Sequence, residues 1–289
     1  MYKHLVNAQA MVAHAKANKY AIPAFNVNNL EWLKTILSTL NQTRTPALLA
    51  FSEGAIRYMG GYECVVHLVN HIAEYLKVDI PVCIHLDHGT YEGCFKAIDA
   101  GFTSVMFDGS ALEFADNFQK SSEVVAYAQK HNVSVELEVG AIGGVEDDVV
   151  SEGELTKPAE AVKMAELKPN MLACGIGNIH GLYPSNWKGL NFALLQEIND
   201  LIESPLTLHG GSGIPLEQIQ HAVSLGISKV NINTEVQIAY AQALQTYFAN
   251  KDIMANKAYA FRTINNFACE KMSEQITTLV CNLKADNRV

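Results

Sequence analysis

Pro81-Val82-Cys83-Ile84-His85-Leu86-Asp87-His88-Gly89 is an apolar run of β character that stops abruptly on a carboxylate, an imidazole and a glycine. Within a packed core such groups must be satisfied or neutralised, so a run that ends on them is unusual and marks a rim. The same design recurs along the chain. Further runs end at Asn26, Ser52, Asp108, Glu138, His209 and Asn233, and the glycine-rich run from Met171 leads within a few residues to His180. The repetition gathers many polar side chains at one end of one sheet.

Outward from that stretch, strand signals near 21–26, 46–52, 80–87, 104–108, 133–139, 171–177, 205–209 and 229–233 alternate with helical patterns near 30–43, 61–77, 91–100, 114–131, 158–168, 191–203, 215–226 and 235–249. Eight such units imply a parallel sheet with right-handed crossovers that closes on itself, an α/β fold of the (β/α)8 TIM barrel type. The alternative is a doubly wound open sheet. Helix-like apolar spacing over 5–19 adds an N-terminal helix expected to plug one barrel end, and 257–283 reads as a C-terminal helical extension. No Pro/Ser-rich linker, low-complexity tract or short repeat interrupts the 289 residues, so a single domain over 1–289 is expected.

Composition narrows the function classes. An apolar fraction of 49% suits a large core, while a net charge of −9 without a long basic stripe argues against nucleic acid as a partner. No run of eighteen apolar residues occurs, and the start Met1-Tyr2-Lys3-His4 lacks signal-peptide character, so no membrane association and a soluble, cytoplasmic protein are expected. The six cysteines show no C-x-x-C spacing, and several lie in apolar runs, as reduced core thiols do. An anionic small substrate would need a local device to offset the overall charge.

In barrels of this kind the active site lies at the C-terminal ends of the strands. Polar strand tips also begin turns and cap helices, which is the competing reading for Asn26, Ser52 and Asp108 taken singly. The histidines are harder to dismiss. His88, His180 and His209 follow the third, sixth and seventh strands and could converge above the barrel, where three neutral imidazoles with an open position form a catalytic zinc site. His67 and His71 share an i,i+4 face, but with no third ligand nearby they read as an ordinary helix surface, and His85 reads as a hydrogen-bonded interior residue.

Two loops complete the candidate site. His209-Gly210-Gly211-Ser212-Gly213 and Asn231-Ile232-Asn233-Thr234-Glu235 follow the last two strands, where backbone N–H groups and a helix N-terminus cradle phosphate in many barrels. Gly140 to Asp148 is a glycine-hinged loop carrying Glu146, Asp147 and Asp148. It is either a solvated surface loop or a lid that closes over substrate and delivers a general base.

Taken together, Ile22-Pro23-Ala24-Phe25-Asn26, His85-Leu86-Asp87-His88-Gly89, Ser104 to Ser110, Glu136-Leu137-Glu138-Val139-Gly140, Gly143-Gly144-Val145-Glu146-Asp147, Gly177-Asn178-Ile179-His180-Gly181 and the two loops above resemble the class II, metal-dependent fructose-bisphosphate aldolases and their tagatose-bisphosphate relatives. The resemblance implies zinc-dependent, reversible cleavage of fructose 1,6-bisphosphate, a phosphorylated ketose, to dihydroxyacetone phosphate and glyceraldehyde 3-phosphate in glycolysis and gluconeogenesis, by a homodimer or larger homo-oligomer. By the same resemblance His88, His180 and His209 bind Zn2+, Asp87 is the acid/base at the C4 hydroxyl, and Glu146 exchanges the proton of the triose phosphate. Asp108 and Glu138 stand behind the metal ligands. Gly181, Gly210, Gly211, Ser212, Asn233 and Thr234 match triose-phosphate positions, with Asn231, Asn26 and Ser52 near the substrate. Gly181 and Gly210 also match a site for a monovalent cation, Na+ or K+.

The chemistry fits these residue types. Cleaving the bond between carbons 3 and 4 leaves carbanion character on the triose, which a bound cation or a lysine Schiff base must offset. No lysine falls at a strand tip, since Lys229 is expected to start the eighth strand at the opposite rim. One departure from the family stands out: its Asp-Pro-Arg motif is replaced by Lys251-Asp252-Ile253-Met254, leaving Lys251, Lys257 and Arg262 as candidates for the second phosphate. A tagatose ester as substrate and a non-catalytic sugar-phosphate-binding barrel are the alternative readings.

Overall fold

The computed structural model describes residues 2–146 and 149–289. Its strands are β1 (Ile22–Asn26), β2 (Ala47–Ser52), β3 (Val82–Gly89), β4 (Ser104–Phe107), β5 (Ser134–Val139), β6 (Gly143–Glu146), β7 (Val149–Ser151), β8 (Met171–Cys174), β9 (Ile179–His180), β10 (Leu206–Leu208) and β11 (Ile227–Ile232). Eight of them close a parallel barrel in the order β1-β11-β10-β8-β5-β4-β3-β2, so the closed form holds and the open doubly wound sheet does not. Every residue of β1, β2, β4, β5, β8, β10 and β11 is buried, as expected of parallel strands covered by helices outside and packed side chains inside.

The helices are α1 (Gln9–Asn18), α2 (Leu30–Gln42), α3 (Glu53–Tyr58), α4 (Tyr62–Tyr75), α5 (Tyr91–Ala100), α6 (Phe114–Lys130), α7 (Pro158–Ala165), α8 (Phe192–Leu201), α9 (Leu216–Ser224), α10 (Thr234–Asn250) and α11 (Phe261–Asn282). Side-chain caps start several of them: Asn29 accepts from Trp32 N, Ser52 from Ala55 N and Thr90 from Gly93 N. The region expected as one helix near 61–77 is preceded by the short α3, and Gly60 and Gly61, with φ of 100° and 109°, separate it from α4. No described helix is long and apolar enough to cross a membrane.

The N-terminal segment closes the end of the barrel opposite the site. Val6 N and His4 O bond Val82 at the start of β3, Ala8 N bonds Ser134 Oγ at the start of β5, and Met11, Val12 and Ala15 of α1 are buried. The C-terminus reaches the same end, where Ala21 N donates to Leu283 O and the Arg288 guanidinium lies 4.5 Å over the Tyr20 ring. Cys83, Cys94 and Cys174 are buried thiols, but Cys64 and Cys281 are exposed, so the expectation of core thiols holds only for the strand and inner-helix positions.

Two local readings change. The run near 171–177 ends as a strand at Cys174, and the chain bends through Gly177 (φ 90°) before pairing again at β9. The glycine-hinged loop after β5 is a β-hairpin, β6 with β7, and β6 also pairs with β9, Gly144 opposite His180. Asp147, Asp148 and the side chain of Glu146 lie outside the described residues.

Candidate metal centre and active site

Successive residues of a strand face opposite sides, so Asp87 and His88 could not both face the barrel mouth from a regular β3. The structure resolves this with a bulge. The register between β3 and β4 shifts between Leu86 and Gly89, and His88 adopts φ 46°, a conformation costing a residue with a Cβ roughly 1–3 kcal/mol. Glycine follows for a steric reason: a Cβ at position 89 would lie 2.4 Å from Leu86 Cδ2 and 2.7 Å from Met106 O.

The bulge brings His88 to the other two histidines. Ring centroids are 4.5 Å apart for His88 and His209, 4.8 Å for His88 and His180, and 5.8 Å for His180 and His209. Their candidate ligand atoms all lie within 4.8 Å of one another, close enough to share one ion. His88 Nε2 faces His209 Nδ1 at 2.9 Å, while the outer nitrogens are engaged: His88 Nδ1 with Asp108 Oδ2 at 2.7 Å, His209 Nε2 with Glu136 Oε1 at 2.7 Å. His180 Nε2 is buried with no hydrogen-bond partner among the described residues, a cost that a coordinated cation would remove. A carboxylate behind each of two imidazoles is the usual support of a metal-binding histidine, so the donor set fits a divalent ion.

The electrostatics agree with that division. Burial, helped by the neighbouring His88, pushes His180 down to about 3, and burial with His88 and Lys229 holds His209 well below the usual histidine range. Both are neutral imidazoles. Burial also opposes charge on His88, but Asp108, Asp87 and Glu138 outweigh it and raise it to about 10. Asp108 is lowered against its own burial by the His88 and Ser110 hydrogen bonds.

Asp87 is fully buried, which disfavours its charge, yet His88, His209, Lys229 and the Asn26 hydrogen bond together lower it. Asn26 Nδ2 donates to Oδ2 and Asn231 Nδ2 to Oδ1, both at 2.9 Å. Asn231 Oδ1 keeps no partner among the described residues. Asn26, Asp87, His180, Gly181, His209, Gly210, Ser212, Asn231, Asn233 and Thr234 line one cavity at the mouth, so most positions expected from the sequence meet there. None of the lining residues is a lysine or arginine, and an anion bound here would rest on amides, hydroxyls and the start of α10.

Ser52 and Gly211 are not among the residues lining the cavity. Ser52 Oγ caps α3, while Gly211 N donates to Asn231 O and a Cβ there would lie 2.5 Å from Val230 Cγ1. Glu138 is buried beside His88 Nδ1 at 3.8 Å, with Oε1 accepting from Ile142 N, so Asp108 rather than Glu138 makes the direct bond to that ligand. Burial, with Asp108 nearby, raises Glu138 well above the ordinary carboxyl range. His85 is interior as expected, its Nδ1 2.8 Å from Ser104 Oγ, and His67 and His71 are exposed on α4.

Lys229 departs from the expectation. β11 begins two residues earlier, at Ile227, and the lysine side chain runs inside the barrel, fully buried, to Glu136 Oε2 at 2.7 Å, instead of lying at the far rim. Glu136 itself was not singled out by sequence, although Glu136 and Glu138 stand two apart on an otherwise apolar strand, the spacing that points both inward.

The family described as "Fructose-bisphosphate aldolase class-II" matches residues 6–288. A fructose-bisphosphate aldolase of Ureaplasma parvum is 48% identical over 286 residues, 99% of each chain, and one of Mycoplasma genitalium is 53% identical over 254 residues, 88% of each. Among solved structures, the YdjI aldolase of Escherichia coli is similar with a TM-score of 0.84 and 27% identity, covering 98% of this chain and 99% of that one. The fructose-bisphosphate aldolase of Campylobacter jejuni shares the fold at a TM-score of 0.84 and 21% identity, over 99% of this chain and 97% of that one.

Proposed function

Because the chain belongs to the class II fructose-bisphosphate aldolase family, we propose that it reversibly cleaves fructose 1,6-bisphosphate to dihydroxyacetone phosphate and glyceraldehyde 3-phosphate, with Zn2+ held by His88, His180 and His209. The observation that carries this reading is the meeting of three imidazoles with Asp87 at one barrel mouth. A divalent cation held there supplies a Lewis acid that polarises the ketose carbonyl.

The chain's own groups do the rest. Asp87, anionic and clamped by two asparagine amides, accepts the proton of the C4 hydroxyl in cleavage and returns it to the aldehyde oxygen in condensation. The unpartnered Asn231 Oδ1 is an acceptor for a substrate hydroxyl. Gly181, Gly210, Ser212, Asn233 and Thr234 bind the triose phosphate, and Gly181 with Gly210 takes a monovalent cation in the same reading. Glu146, on the hairpin that pairs with the His180 strand, exchanges the proton on the triose fragment.

We also assign the protein to cytoplasmic glycolysis and to a homodimer. Phe248, Met254, Tyr259 and Phe261, all at least half exposed, put an apolar surface on the α10–α11 arm. α10 rises about 25 Å over its length, so Lys251 is about that far from Thr234 of its own barrel. Lys251, Lys257 or Arg262 therefore suits the second phosphate in a partner's mouth.

A coupled assay on one zinc-loaded preparation tests the reading with fructose and tagatose 1,6-bisphosphates. A higher kcat/KM for the fructose ester is expected. A flat trace with both sugars, while either still binds, would leave a sugar-phosphate-binding barrel.

A further inference from the structure

Asp108 backs His88 and Glu136 backs His209, but His180 is aimed differently. Its Nε2 has no hydrogen-bond partner among the described residues, and it ends the two-residue strand β9, so its direction is set by the backbone that carries it. That backbone is tied to the loop after β10. Tyr183 Oη accepts from Ile179 N at 2.9 Å and donates its single hydrogen to Gly210 O at 2.8 Å, and Asn178 Nδ2 donates to His209 O at 3.0 Å. The approach is close: a Cβ at position 210 would lie 2.1 Å from Ile179 O. Gly211 N donates to Asn231 O, so the planar peptide between Gly210 and Gly211 is held at its oxygen by Tyr183 and at its nitrogen by β11. The Tyr183 ring is itself fixed, 4.3 Å from the Trp187 ring, whose Nε1 donates to Gly177 O at 2.7 Å.

We propose that Tyr183 is a positioning residue whose hydroxyl fastens the strand carrying His180 to the Gly210 loop, so that one side chain sets both the aim of a metal ligand and the shape of the phosphate cradle. The proposal rests on the reading of this mouth as a metal and phosphate site. Loss of the hydroxyl leaves Ile179 N and Gly210 O without that partner and frees the two segments to part, which weakens both kinds of binding at once. A ring that only filled space would do neither, because phenylalanine fills the same space.

Tyr183→Phe in the full-length protein tests this with two probes read separately: Co2+ by chelator competition and visible spectrum, and inorganic phosphate on the metal-free protein by phosphorus NMR. Each should bind about 3–10-fold more weakly, and the spectrum of bound Co2+ should change. A folded variant with wild-type Co2+ affinity and spectrum overturns the proposal, as does one that loses affinity for only one of the two probes. Should Tyr183→Phe not fold, Gly210→Ala is read in its place, since its Cβ presses on Ile179 O while the hydroxyl remains. Weakened Co2+ binding there supports the proposal, and unchanged Co2+ binding overturns it. Wild-type protein that takes up no Co2+ or no phosphate removes the site beneath the proposal and overturns it too. Protein that binds both but cleaves no ketose bisphosphate refutes the proposed reaction alone, and the role of Tyr183 is then decided by the two binding measurements.

Discussion

Asn231 Nδ2, near the end of β11, donates a 2.9 Å hydrogen bond to Asp87 Oδ1 on β3, three strands away around the barrel mouth, while Asn26 Nδ2 donates to Oδ2 from β1, one of the two strands between. Both oxygens are thus pinned by neutral donors that favour the anion without themselves titrating. Replacing either asparagine by alanine frees the carboxylate to turn. Asn26→Ala and Asn231→Ala should each lower kcat by roughly 10–100-fold, since small misplacements of a reacting group are costly. Bound zinc should be unchanged, and unaltered kcat in both variants would remove the clamp from the mechanism.

His88 is raised to about 10 although burial opposes its charge, because Asp108, Asp87 and Glu138 surround it. The metal-free protein therefore carries a proton there at pH 8, and a metal ion must displace it. Zinc added to weakly buffered metal-free protein should release about one proton per site near pH 8, fewer as the pH rises through 10. In the metal-free fold the same shift adds stability that is fully present below the ordinary value of 6.5 and lost as the pH rises through about 10. Release of no protons near pH 8 would contradict the assignment.

Asp108→Asn removes the charge behind His88 while keeping a similar shape. Zinc affinity should fall by about 10–100-fold with little change in melting temperature, measured by competition with a coloured chelator. Unchanged affinity would mean that Glu138 alone suffices.

Gly144 connects the hairpin to the metal site. Its φ is +96°, and a Cβ would lie 2.2 Å from His180 O, so Gly144→Ala must push β6 away from β9. A loss of about 1–3 kcal/mol is expected from backbone strain, along with reduced zinc content because His180 moves. Thermal denaturation and metal analysis of the purified variant measure both. Wild-type values for each would show that the strands are not coupled.

Lys229 is paired with Glu136 and closed to solvent, which leaves no amine among the described residues lining the mouth to form an imine. Borohydride with substrate should therefore leave no covalent adduct, whereas a strong chelator should abolish cleavage. An adduct seen by mass spectrometry, or full activity in verified zinc-free protein, would reject the metal route.

Much of this architecture was legible in the chain itself. Apolar runs ending on Asn26, Asp87 and His209 announced strand tips because a packed interior tolerates such groups only at an edge or in pairs, the run from Met171 led within a few residues to His180, and the alternation with helical spacing announced a closed parallel sheet. Only the folded chain decided what those residues touch. The bulge that turns both Asp87 and His88 to the mouth depends on β3 slipping against β4. The hairpin after β5 exists because β9 offers it an edge, which no local pattern in a glycine-rich segment reveals. Lys229 meets Glu136 from ninety-three residues away. Periodicity reports which face a side chain takes, but hydrogen-bond partners across a barrel are set by register and closure, and those are properties of the assembled sheet.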